Sequence, residues 1–124
     1  MKVLLSIKPE FVKEIFNGTK KFEYRKSIFK NKDVKTIVIY ATMPIGKIVG
    51  EFEIDYILQK HPTQLWEETK DFSGVSKEFY YQYFDGRENG YAIAIKKLKE
   101  YKKAICPHRK YDNFYAPQSF KYLH

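Results

Sequence analysis

Residues 17–25 read NGTKKFEYR. Asn17-Gly18 signals the end of a helix, because glycine takes positive φ without a steric penalty. The residues that follow alternate. Phe22 and Tyr24 point one way along a strand, and Lys21, Glu23 and Arg25 point the other. The stretch is therefore a helix end, a tight turn and a strand with one charged face. Two readings of that face stand open. It is the solvated side of an edge strand, whose ion pairs contribute little, or it is the floor of a pocket for a polar ligand.

The flanking sequence sets this stretch in a pattern. KVLLSIK (2–8) is an apolar run broken once, as in a buried strand. Pro9 then suits a first helical position, and Phe11, Val12, Ile15 and Phe16 follow at helical spacing. Downstream, NKD (31–33) is a turn and VKTIVIYA (34–41) a β-branched strand. TMPIGK (42–47) is a loop. IVGEFEIDYIL (48–58) is a long strand in which Gly50 marks a bulge or a close backbone approach.

Residues 61–87 break the strand pattern. PTQLWEETK and SKEFYYQYF read as two short helices, with Thr63 and Ser76 as N-caps. Trp66 is expected to anchor the first of them, and Tyr80, Tyr81 and Tyr83 to pack or face solvent. NGYAIAIKKLKEYKKAI (89–105) starts as an apolar strand and continues as a basic one. An irregular stretch, CPHRKYDNFY (106–115), leads to the tail APQSFKYLH (116–124). The order is β-α-β-β-β-(α-α)-β plus a tail. It lacks regular βαβ alternation and fits an α+β fold, a small and mostly antiparallel β-barrel. One helix follows the first strand, and a short helical insert precedes the last long strand. The expectation is a single domain over 1–124.

Composition narrows the partners. The formal charge is +8, split as +5 over residues 1–60, −3 over 61–95 and +6 over 96–124. Two basic segments flanking an acidic insert make one basic surface if they pair in space, and such a surface favours polyanions such as nucleic acid. Tyr and Phe number 11 and 10, which suits contacts apolar at one end and hydrogen-bonding at the other. No apolar run reaches the roughly 20 residues of a membrane span. The start MKVLLSIKPEF is too short in its apolar part for a signal peptide. Cys106 stands alone, in keeping with a reducing cytoplasm. His61, His108 and His124 have no ligand spacing with that cysteine, so neither a metal site nor a cofactor is expected.

SIKP (6–9), GTKKFEYR (18–25), IYATMPIGKIVGEFEI (39–54), GYAIAI (90–95) and PQSF (117–120), in this order, resemble ASCH domains of the PUA-like superfamily. The centre of the resemblance is the pattern G-x-K-x-x-E-x-R, matched by Gly18, Lys20, Glu23 and Arg25. It covers nearly the whole chain and looks like the short stand-alone type of bacteria and phages. The resemblance implies a barrel with a cleft at this motif, and a role in RNA or modified-nucleobase binding, RNA metabolism or transcription. Some relatives are enzymes. One branch hydrolyses N4-acetylcytidine with a Lys and a Thr of this motif, and another shows ribonuclease activity. Here the lysine is kept as Lys20, and Glu23 stands at the position of the threonine nucleophile. The resemblance therefore does not carry over the hydroxyl chemistry.

The motif residues have matching chemistry. Glu23 can accept hydrogen bonds from an exocyclic amine or a ring N–H of a base. Arg25 offers a planar fork to phosphate or a base edge. Lys20 can neutralise phosphate, or act as a base if burial lowers its pKa. Lys8, Tyr40, Thr42, Gln118 and Ser119 are further candidate ligand contacts, each balanced by a plain structural role. The basic run Lys96–Lys103 is a solvated strand face or a phosphate track. The expected function is recognition of RNA or a nucleoside-like ligand in the cleft. The alternative is a hydrolase on RNA or a modified nucleoside, with Lys20, Glu23 and Arg25 catalytic. The third reading is a protein-interaction module that uses 61–87 as its contact surface.

Overall fold

The computed structural model describes residues 1–111 and 114–123. Six strands form one sheet: β1 (Lys2–Ile7), β2 (Phe22–Arg25), β3 (Thr36–Ala41), β4 (Lys47–Lys60), β5 (Gly90–Ile105) and β6 (Phe120–Leu123). Their order across the sheet is β2-β5-β4-β3-β1-β6. The β1–β3 pair is parallel and every other pair antiparallel. The sheet curls into a half-barrel whose open side is spanned by a side chain. Arg25, on the β2 edge, donates to the Ser6 carbonyl on β1 at 2.8 Å and to the Ser119 carbonyl beside β6 at 3.3 Å. The mostly antiparallel barrel with an early helix and a late helical insert is thus present, with its seam closed by a guanidinium.

Alternation along the strands fills two faces. Val3, Leu5, Ile7, Ile37 and Ile39 enter the main core with Phe52 and Ile93. Leu4, Val38 and Tyr40, the residues between, build a second cluster on the other face with Ile48 and Phe114. Helix α1 (Pro9–Asn17) covers the main core with Val12 and Ile15. A third cluster forms where α2 (Pro62–Thr69) and α3 (Lys77–Tyr83) pack Leu65, Trp66, Tyr80 and Phe84 against Tyr24 and Ala92. Trp66 lies 4.7 Å from Tyr80 between ring centroids and anchors α2 as expected. Gly50 sits where the β4–β5 register slips, and a Cβ there would fall 2.6 Å from the Lys99 carbonyl oxygen. No helix among the described residues is long and apolar enough to cross a membrane.

The structure corrects three expectations. The tail, given no element in the expected order, ends in one: Phe120–Leu123 pairs with β1 as an antiparallel edge strand. Its alternation is only four residues long, too short to stand out in the sequence. The cap of α2 is His61, whose Nδ1 accepts from the Thr63 N–H at 3.2 Å, so Thr63 lies inside the helix that Pro62 begins. Ser76 does cap α3, accepting from the Phe79 N–H at 3.0 Å. The third concerns Lys8. The strand expected over 2–8 stops at Ile7, and Lys8 takes the N-cap position of α1, where its carbonyl accepts from the N–H of Phe11 and Val12. His124 and part of the 106–115 stretch lie outside the described residues.

Candidate functional site

Gly18 supplies the turn that positions the motif. Its φ of 82° ends α1, and its N–H bonds back to the last helical turn. The Lys20 N–H then returns to the Glu14 carbonyl at 3.0 Å, and Lys20 forms a short antiparallel bridge with Ser73. This bridge ties β2 to the helical insert and turns the Lys20 side chain inward. Gly74 has a φ of 65°, and a Cβ on it would lie 2.3 Å from the Lys20 Cβ. The insert therefore presses a bare backbone onto the lysine stem.

The charged trio is buried. Relative exposure is 2% for Lys20, 6% for Glu23 and 8% for Arg25. Glu23 and Arg25 form a direct ion pair at 3.0 Å. Lys20 Nζ stands 3.8 Å from Glu23, ion-pair distance but longer than a hydrogen bond. Its hydrogen bond goes to the Ser73 carbonyl at 2.9 Å. The ammonium also lies 4.8 Å from the Tyr24 ring centroid and 5.5 Å from that of Phe11. Burial pushes the Lys20 pKa below its ordinary value; the nearby Glu23 opposes this and Arg25 adds to it. The Arg25 Nε is buried with no acceptor among the described residues.

A cavity of about 410 Å³ opens over this trio. Lys8 and Phe11 of the β1–α1 junction and Val75, Phe79 and Tyr83 of the insert line it, with Phe11 packed edge-on against Phe79 at 5.0 Å between centroids. Phe79 and Tyr83 lie near-parallel, 13° between planes and 6.1 Å between centroids. Lys8 Nζ stands 5.2 Å over Phe79, and Lys26 Nζ 4.8 Å over Tyr83. The Tyr24 hydroxyl is turned away from the cavity. Thr69 gives its one proton to the Leu65 carbonyl, so Tyr24 must donate to Thr69 Oγ1, at 2.7 Å. Burial raises its pKa to about 12 and keeps it a neutral phenol.

Of the residues singled out from sequence, the cavity collects Lys8, Lys20, Glu23, Arg25 and Gln118. Ser119 contributes its carbonyl to Arg25. Tyr40 and Thr42 do not line this cavity. Tyr40 faces the other side of the sheet, 5.5 Å from Phe114, and the Thr42 N–H caps β1 at the Ile7 carbonyl. The insert is a wall of the cavity as well as an outer surface. Phe79 and Tyr83 were missed because α3 carries two aromatic stripes at i, i+4 spacing. Tyr80 and Phe84, the latter capping the helix end, enter the core, while Phe79 and Tyr83 face the cavity, which Tyr80 also borders.

A curled sheet with a buried Lys-Glu-Arg motif that runs from the turn after its first helix into its second strand defines the class. The chain belongs to the ASCH domain family, whose model matches residues 5–105, and so to the PUA-like superfamily. It is 30% identical over 122 residues to an ASCH domain-containing ribonuclease of Zymomonas mobilis, spanning 97% of this chain and 82% of that protein. The crystal structure of ASCH from Zymomonas mobilis matches with a TM-score of 0.92 at 28% identity, covering 99% of this chain and 87% of that one. Large ribosomal subunit protein uL22 of Ureaplasma parvum is 27% identical over 124 residues, where the match spans 98% of this chain and 39% of that protein.

Proposed function

We propose that this protein recognises RNA by taking one unstacked base into the cavity. The observation that carries this reading is the buried Lys20–Glu23–Arg25 trio beside the near-parallel Phe79 and Tyr83 rings of the insert. A heterocycle needs both parts: rings to stack on and fixed polar groups to read its edge. Glu23 accepts from a base amine or ring N–H, while Arg25 holds the carboxylate in place. Lys8 and Lys26, exposed above the walls, meet the backbone phosphates. The similarity to a protein named a ribonuclease supports RNA as the ligand class.

A second reading has one observation in its favour, the lowered pKa of Lys20. A neutral Lys20 amine removes the proton of the ribose 2′-hydroxyl. The 2′-oxygen then attacks the adjacent phosphorus, the P–O5′ bond breaks, and a proton from solvent completes the leaving 5′-hydroxyl. Arg25 stabilises the developing negative charge.

The test is to titrate labelled single-stranded RNA into wild type, Tyr83→Ala and Glu23→Gln, and to analyse products beside a panel of modified nucleosides. Tyr83→Ala removes a half-buried wall residue and leaves the trio intact. The recognition reading expects about 1–3 kcal/mol of binding lost with that stacking face. Unchanged RNA affinity in both variants would overturn it. Product that appears with wild type and vanishes with Lys20→Met would establish the catalytic reading.

A further inference from the structure

A second recess lies on the outer face of the sheet and shares no lining residue with the cavity. It encloses about 390 Å³. Val38, Ile48 and Leu123 make its apolar floor, Tyr101 and Tyr111 stand beside it, and Lys2 and Lys110 border it. Tyr111 follows α4 (Pro107–Lys110), the short turn after β5.

The chemistry around this recess is uneven in sign. Lys99 Nζ lies 6.0 Å from the Tyr101 centroid, and Lys110 Nζ 5.8 Å from that of Tyr111. Lys121 Nζ lies 5.3 Å from Phe114 and 5.5 Å from Tyr115, a tyrosine 77% exposed. Glu51 is already engaged, accepting from the Tyr101 hydroxyl at 2.6 Å and from Lys2 at 3.4 Å. Lys110 and Lys121 make no ion pair among the described residues. Aromatic faces interleaved with lysines around an apolar recess are what a single-stranded nucleic acid requires, since bases stack on the rings and phosphates meet the ammonium groups. An apolar peptide would use the floor but leave those lysines without anions.

We propose that this recess is a second contact for single-stranded RNA, taking one base against Tyr101 and Tyr111 with the adjoining phosphates on Lys110 and Lys121. The inference rests on the reading that the protein binds RNA, but not on the cavity being its base pocket. Both sites border β1. Lys2 is at the recess, while Ser6 and Ile7 are at the cavity. Lys2 and Ile7 are five residue steps apart, about 16 Å along the strand, and the recess opens on the outer face, so the path between the two sites is longer than that. A trinucleotide therefore occupies one site, and a longer strand reaches both.

The experiment compares a trinucleotide with a 12-nucleotide single strand, each with 2-aminopurine as one base. The proteins are wild type, the double variant Lys110→Ala/Lys121→Ala, Tyr111→Ala and Glu23→Gln. The 12-mer is expected to bind the double variant about five- to tenfold more weakly. Its salt dependence should be shallower by about 1.4 in log–log slope, as expected for two lost phosphate contacts. Trinucleotide affinity at the cavity should be unchanged in the double variant, and Tyr111→Ala should remove part of the 2-aminopurine quenching seen with the 12-mer. A double variant that binds the 12-mer with wild-type affinity and slope overturns the inference. A recess that instead takes an apolar peptide, with no RNA effect from either variant, also overturns it. Failure of the cavity reading looks different: Glu23→Gln then leaves trinucleotide binding unchanged while the recess variants still weaken the 12-mer.

Discussion

Two strand segments of this chain look alike and behave differently. KKFEYRK (20–26) and IKKLKEYKK (95–103) both alternate charged with apolar or aromatic residues, and both are dominated by lysine. In the first, the helical insert covers the charges, and Lys20, Glu23 and Arg25 end nearly dry. In the second, the lysines remain in water. Lys96 and Lys99 lie across from Glu53 and Glu51, and Lys97 reaches Glu53 at 3.5 Å with its side chain 73% exposed. The run is thus partly balanced by β4 and does not form an uninterrupted phosphate track. Identical residue types become a binding floor or a solvated surface according to what packs over them. Once withdrawn from water, each charge depends on its partner.

That contrast is sharpest at Glu23. Glu23→Gln leaves two cations in the buried trio with no carboxylate, and about 3–5 kcal/mol of stability should be lost, read from denaturant unfolding. A loss below about 1 kcal/mol, the range of a surface pair, would erase the distinction between the two strands.

Gly74 and Gly18 extend the comparison to backbone. Both have positive φ, so Ala at either costs about 1–2 kcal/mol. A Cβ at Gly18 meets nothing within 4 Å, whereas at Gly74 it collides with the Lys20 stem. Gly74→Ala should therefore be the more destabilising and should also weaken RNA binding, while Gly18→Ala lowers stability alone. Equal effects of the two on RNA affinity would show that the insert does not position Lys20.

Tyr24 gives a pH signature of the covered region. The unfolded phenol ionises near pH 10 and the folded one near 12. Its contribution to stability is fully present below pH 10 and is lost as pH rises through 12. Lys20 runs the other way: its lowered pKa penalises the folded state at low pH, and the penalty is relieved as pH rises toward 10.5. Between pH 10.5 and 12 the loss comes from Tyr24 together with Tyr80, Tyr83 and Tyr101, whose phenol pKa values burial also raises, so Tyr24→Phe should lessen the alkaline loss measured by unfolding at stepped pH without abolishing it. The smallest effect belongs to the exposed strand. Lys97→Ala should change stability by no more than about 0.5 kcal/mol. A larger change would mean that the Glu53 pair matters more than its exposure implies.

The sequence carried some of this plainly. Gly18, Lys20, Glu23 and Arg25 sit at fixed spacing in a local helix-turn-strand, so short-range rules suffice to place them together. Gly50 likewise announced a bulge. The cavity walls were out of reach because they depend on contacts between distant segments. Lys20 meets Ser73 across 53 residues, and Arg25 meets Ser119 across 94. The two aromatic stripes of α3 are indistinguishable until the insert is docked. The same holds for Tyr40, which ends a core strand next to the expected cleft loop yet alternates onto the outer face.

The most direct test of the central claim is a residue-resolved titration, with single-stranded RNA added to isotopically labelled protein and amide shifts followed by NMR. The largest shifts are expected at residues 20–25 and 75–83, the floor and insert wall of the cavity. Shifts confined to the exposed lysines of residues 96–103, with the floor and wall unmoved, would contradict it.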